Sequence, residues 1–167
     1  FHEEAALALA EAGVHTLVEK PLAASVEAGQ RVAEAFKSAG LVGAVGYVER
    51  CNPALLEMRK RLAEGQLGDV YQVVTRRQSP FPARISDVGV VKDLATHDVD
   101  LAAWVAGSEY KEIYAQTAHR SGREHEDMVV ASGSFKNGVL VNHLVNWLTP
   151  FKDRTTIVTG EHGALVA

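Results

Sequence analysis

Twice within residues 1–47 an Ala- and Glu-rich stretch closes on a glycine and runs into a short β-prone segment. Residues 2–12 stop at Gly13 before 14–18, and residues 25–39 stop at Gly40 before 41–47. A glycine just past the last periodic position is a common helix stop. Strands separated by helices cannot be joined as hairpins, so this order predicts an α/β unit with parallel strands. Ser25 is the expected N-cap of the second helix, with Val26, Gln30, Ala33 and Phe36 on one side. Pro21 must end the first strand.

Beyond Tyr47 the pattern changes. Asn52-Pro53 opens a third helix to about residue 64, and 70–77 reads as a strand. Residues 78–89 hold two prolines and no periodicity, which predicts a long loop. Residues 93–106 form an expected helix closed by Gly107. The segments 113–118, 128–135, 139–148 and 155–159 all read as strands, and Asn137-Gly138 between two of them is a strong hairpin signal. The later half is therefore expected to be antiparallel.

Hydrophobic residues make up 47% of the 167 and charged residues 23%, which places the chain among globular proteins rather than disordered ones. A formal net charge of −4 gives no basic field for nucleic acid or an anionic membrane, so neither is an expected partner. No apolar run approaches the length of a membrane span. Cys51 is the single cysteine, so no intramolecular disulfide is possible, and a reducing, cytoplasmic setting fits. Phe1 is not an initiator methionine, and no secretory signal opens the chain. The start lies inside a helix-like pattern, as expected of a segment of something longer.

Two groups of residues could carry chemistry. Glu19-Lys20-Pro21 closes a strand at its carboxyl end, where open α/β sheets gather ligands. A lysine there can meet a bound anion or hydroxyl, though the same tripeptide also suits a surface charge pair in a turn. Asp93 and His97 are four residues apart on a helix and so share a face. A carboxylate beside an imidazole fixes its tautomer and raises its basicity. Equally, Asp93 could favour the helix dipole while His97 is solvated. A metal site from Asp93, His97, Asp98 and Asp100 is a further reading, weakened because Asp98 points away from the other face. The remaining histidines lack metal-ligand spacing. Arg76, Arg77 and Arg84 flank the proline loop as an exposed rim or as contacts for an anion.

Together these pieces resemble the glucose-fructose oxidoreductase / inositol dehydrogenase / MocA-like family. Gly13-Val14-His15 with 18–23 (VEKPLA) is similar to its "GkHVlvEKPla" segment. Val45-Gly46-Tyr47, Arg50 and Asn52-Pro53 resemble "vGy..R.nP", and 65–70 (GQLGDV) resembles its "G.lG.v" turn. Asp93, His97, Asp98 and Asp100 match the spacing of its catalytic helix. Residues 79–90 (SPFPARISDVGV) are similar to a stretch of UDP-N-acetylglucosamine 3-dehydrogenase-like members, with Ser79 in place of their Gly.

The resemblance implies the tail of a Rossmann NAD(P)-binding domain over 1–48. It implies part of a substrate-binding and oligomerisation domain with a mostly antiparallel open sheet over 49–167. The implied activity is hydride transfer between nicotinamide, NAD or NADP, and a sugar, polyol or nucleotide-sugar hydroxyl carbon. The implied catalytic residues are Lys20, Asp93 and His97. Glu19, Lys20 and Pro21 would contact cofactor, Tyr47, Arg84, Asp93 and His97 would contact substrate, and no metal is implied. A cis Lys20-Pro21 bond and a homo-oligomer through the C-terminal sheet also follow. The G-x-G-x-x-G fingerprint is absent, since Gly40, Gly43 and Gly46 do not fit it. It and the acidic ribose-binding residue are expected upstream of Phe1, leaving this segment inactive alone. Two rivals are a non-catalytic sugar-binding or oligomerisation module and a metal-dependent hydrolase or lyase.

Overall fold

A computed structural model describes every residue except Phe1, Arg84 and Ser86. The chain divides into two compact units, one up to Val48 and one from Glu49 onward.

The first unit runs α1 (His2–Glu11), β1 (Thr16–Val18), α2 (Val26–Ser38) and β2 (Gly43–Val45). The two strands pair in parallel, with Thr16 against Gly43 and Val18 against Val45. Ser25 caps α2 by accepting the Ala28 N–H at 3.2 Å. The buried stripe of α2 is Ala28, Val32 and Phe36, not the expected side through Val26, Gln30 and Ala33, of which Val26 is 71% exposed. The i, i+4, i+8 row packs with Ala6 and Ala10 of α1 and with Val18, and that contact sets the helix phase. Arg31 and Glu3 join the two helices, Nε to Oε1 at 2.8 Å.

The 3₁₀ turn Val48–Cys51 leads from the first unit into the second, which continues with α3 (Pro53–Ala63), whose N-cap Asn52 accepts from Ala54 N. Then follow β3 (Val70–Pro80), a π-helical turn (Val91–Ala95), α4 (Thr96–Ala106), β4 (Tyr110–Ala118), β5 (Met128–Phe135), β6 (Leu140–Asn146), β7 (Leu148–Gly160) and β8 (Gly163–Val166). Among the described residues these strands form one six-stranded sheet in the order β4-β5-β6-β3-β7-β8. Every pairing is antiparallel except β3 with β6, so the later half is mixed rather than wholly antiparallel. The Asn137-Gly138 turn joins β5 to β6, with Gly138 at φ 89°.

Three boundaries differ from the sequence reading. Segment 139–148 is two strands, because Trp147 buries its ring at a corner and Asn146 Oδ1 accepts the Leu148 N–H at 2.9 Å. β3 continues past Arg77 to Pro80, which pairs with Leu148 after a register shift, a position a ladder can give to proline. The short edge strand β8 carries no strand-like alternation longer than four residues and escapes periodicity altogether.

One face of the sheet is covered by α3 and α4. Val73, Phe135, Val141 and Val158 from the strands meet Leu55, Met58, Leu101 and Val105 from the helices there. A second cluster, Ile85, Val90, Ala95, Val129, Val145 and Trp147, lies under the proline loop and anchors the π turn.

Candidate active site

At the carboxyl end of β1 the chain turns through Glu19, Lys20 and Pro21, and the Lys20-Pro21 bond is cis. Glu19 receives the Lys20 backbone N–H at 3.2 Å. Its carboxylate also lies against Gly46, where a Cβ would come within 3.0 Å of it. Gly46 N donates to Val18 O at 2.7 Å, so the ends of the two parallel strands are locked together. The same edge therefore carries Glu19, Pro21, a half-buried Lys20 and a half-buried Tyr47.

The other group stands on the π turn and α4. Glu126 tethers the start of this segment twice. Its carbonyl accepts Val90 N at 2.9 Å and its Oε1 accepts Val91 N at 3.1 Å. Gly89 permits that approach, since a Cβ there would fall 2.0 Å from Glu126 Oε1. Gly89 O then accepts Asp93 N at 3.2 Å. Asp93 sits in the π turn and His97 in the first turn of α4, both half-buried. The sequence reads as one α-helix from Asp93; the π turn is the difference. Single π turns occur often at functional sites, and either winding leaves residues four apart as neighbours on one side.

Beneath this segment lies a charge cluster that sequence reasoning missed. Arg77, 5% exposed, donates from Nε to Asp98 Oδ2 at 2.9 Å and from Nη1 to Glu49 Oε1 at 2.8 Å. Its expected place on an exposed rim or as a free anion contact is corrected. It points to the helix side of the sheet, like Val73 and Thr75 on the same strand parity, and is held by two carboxylates. Burial pushes the Asp98 carboxyl up to about 6 against the pull of Arg77. Burial also works to raise Glu49, but Arg77 outweighs it and keeps that carboxyl below its ordinary value, with Arg154 and His97 adding smaller attractions. Arg50 grips Asp100 with two nitrogens, at 2.8 and 2.5 Å. The turn Val48–Cys51 is thus tied to α4 directly by Arg50 with Asp100 and, by way of Arg77, from Glu49 to Asp98.

A signal for this cluster was present. Asp98 stands in line with Leu94, Leu101 and Val105 on the inward stripe of the helix, and a carboxylate there needs a cation. With Asp98 and Asp100 each taken by an arginine, no group of three or more acidic, His or Cys side chains among the described residues is placed to hold a metal ion. Arg76 pairs with Asp153 at 3.3 Å. His143 is a core residue: Thr75 Oγ1 lies 2.7 Å from its Nδ1 and Tyr110 Oη 2.9 Å from its Nε2, and burial lowers its pKa to about 4. Arg84, an expected substrate contact, lies outside the described residues.

A parallel α/β edge with a lysine at its strand ends is thus followed by an open mixed sheet bearing an Asp/His helix. Residues 1–47 match the oxidoreductase family with an NAD-binding Rossmann fold, and 55–166 match the GFO/IDH/MocA C-terminal domain. The chain belongs to the GFO/IDH/MocA oxidoreductase family. It is 36% identical over 146 residues to inositol 2-dehydrogenase 2 of Saccharopolyspora erythraea, covering 84% of this chain and 43% of that protein. It is 30% identical over 132 residues to UDP-N-acetylglucosamine 3-dehydrogenase of Acidithiobacillus ferrooxidans, covering 79% and 41%. Among solved structures, the WlbA dehydrogenase of Bordetella pertussis, in complex with NADH and UDP-GlcNAcA, superposes with a TM-score of 0.88 at 28% identity, over 99% of this chain and 51% of that one. The chain therefore spans less than half the length of these two curated relatives.

Proposed function

We propose that the protein to which this chain belongs is an NAD(P)-dependent dehydrogenase acting on a CH–OH carbon of a sugar, polyol or nucleotide sugar. The observation that carries the proposal is the placement of Asp93 and His97 four residues apart across one π/α junction, whose helix is fastened through Asp98 to Arg77 and through Asp100 to Arg50. The edge formed by Glu19, Lys20, Pro21 and Tyr47 offers a cation, a phenol and a carboxylate at parallel strand ends. That donor set fits the nicotinamide riboside end of NAD(P), and these residues would hold it there.

When bound, nicotinamide supplies a hydride acceptor. The His97 imidazole would take the substrate O–H proton, which balances the hydride that a bound nicotinamide would accept and leaves a carbonyl. Asp93 orients His97 and stabilises the imidazolium. Lys20 is the further catalytic candidate that the family resemblance implies, a cation of the kind that steadies growing negative charge. The reverse reaction uses His97 as the acid. The relatives named for inositols and for UDP-N-acetylglucosamine support a polyol or sugar substrate, and residues 79–90 favour a UDP-N-acetylhexosamine within that range. The test is reduction of NAD or NADP by the full-length protein with a panel of inositols, hexoses and UDP-hexosamines; no turnover with any of them overturns the reading.

We also propose a cytoplasmic homo-oligomer formed through the uncovered sheet face. Tyr114, Ser132, Asn142, Val74, Ile157 and Val166 form one cross-strand row there, and Leu140 and Val130 beside it are 55% and 44% exposed. Apolar surface of this kind favours association. Sedimentation at low micromolar concentration gives a dimer or larger on this account, and a stable monomer overturns it.

A further inference from the structure

A groove of about 310 Å³ opens beside the π turn, bounded by Gln78 to Pro82, Leu94, Trp147, and Lys152 and Arg154 of β7. Its size is at the low end for ligand sites, which run about 300–1,000 Å³, and suits one sugar ring rather than a whole nucleotide sugar. Leu94, on the groove wall, directly follows Asp93 in the chain.

The charges there do not balance. Arg154 stands directly opposite Arg77 in the ladder. Glu49 and Asp98 face that pair of cations, and both feel Arg154. Two carboxylates thus offset two guanidinium groups. Asp153, next along β7, is taken by Arg76 and by the Thr155 hydroxyl on another side. Lys152 forms no ion pair among the described residues, and Arg123 lies over the groove walls Phe81 and Trp147, so positive charge exceeds negative at the groove. The apolar walls, Pro80, Phe81, Pro82 and Leu94, suit the C–H face of a sugar, while the cations sit at one end.

We propose that this groove is the subsite for an anionic group, a carboxylate or a phosphate, carried on the sugar substrate, with Lys152 and Arg154 as its partners. The inference rests on the dehydrogenase reading for the word substrate, but its test reads binding. A neutral polyol would leave Lys152 and the outer side of Arg154 to water, with no gain from either.

The experiment is calorimetric titration of the full-length protein, at low and at high salt, with glucuronate, galacturonate and glucose 6-phosphate against glucose and galactose. The expected result is at least about a tenfold preference for a charged sugar over its neutral counterpart, shrinking as salt rises. The uronates and the phosphate separate the two anion types. Lys152→Gln should reduce that preference several-fold and Lys152→Glu should abolish it. Lys152 is exposed, so both variants should melt like the parent. Equal affinity for charged and neutral sugars, or a preference unmoved by Lys152→Glu, overturns the proposal. Charge-selective binding without any dehydrogenase turnover would sustain the subsite and sink the proposed reaction; turnover with charge-blind binding would do the reverse.

Discussion

Replacing Arg77 with Met tests how the Asp/His segment is held. Met fills similar space but leaves Glu49 and Asp98 without the guanidinium that separates them. Asp98 is 2% exposed, so its charge cannot be recovered by water. Removing one partner of a buried ion pair costs about 3–5 kcal/mol, a large share of a typical domain stability of about 5–15 kcal/mol. The cost must depend on pH. Asp98 already sits at about 6, above its ordinary 3.8, and without Arg77 it moves higher still. A carboxyl raised in the folded state contributes stability below its unfolded pKa and loses it as pH rises through the folded one. Urea unfolding should therefore show a destabilisation by Arg77→Met that is larger at pH 8 than at pH 5, by about 1.4 kcal/mol for every further tenfold weakening of the Asp98 acid. Adding Asp98→Asn should relieve most of the pH dependence. A loss below about 1 kcal/mol, or one equal at both pH values, would refute the reasoning, since a surface pair behaves that way.

Two other perturbations follow from the same geometry. Gly89→Ala should push the Glu126 carboxylate off Val91 N and cost about 0.5–2 kcal/mol, as for a lost cap; Glu126→Ala should cost a similar amount, and the double variant no more than either, whereas additive losses in urea midpoints would separate the two residues. His143, held near 4 against an ordinary 6.5, should lose about 3 kcal/mol of stability as pH falls from 6.5 to 4, while Asp98 gains about 3 kcal/mol over roughly the same fall. The two nearly cancel in the native protein, so Asp98→Asn should unmask acid sensitivity below pH 6.5 and His143→Gln should unmask acid stabilisation; unfolding curves at four pH values decide it, and unchanged pH profiles in both variants would contradict the assignment.

Much of this architecture was legible because short-range signals wrote it. Gly13, Gly40 and Gly107 all adopt positive φ at helix ends, Ser25 and Asn52 cap where side-chain chemistry says they should, and Asn137-Gly138 turns a hairpin. What was hidden depends on partners far along the chain. Arg77 reads as one more basic residue until Glu49 and Asp98, 28 and 21 positions away, close on it. The parallel pairing of β3 with β6 joins Thr75 to His143 across 68 positions, and no local pattern announces it. The π turn is likewise set by tertiary contacts, the Glu126 tether and the Val90–Ala95 apolar anchor, rather than by the helical period of its own residues.

The proposed role of His97 is to move the hydroxyl proton while hydride leaves the same carbon. The most direct measurement is steady-state kinetics of His97→Ala in the full-length protein, alongside NAD(P) binding by fluorescence. The account predicts a fall in kcat of about 10²–10⁴-fold, the usual worth of a general base, with cofactor affinity unchanged. Wild-type-like turnover in His97→Ala would contradict it.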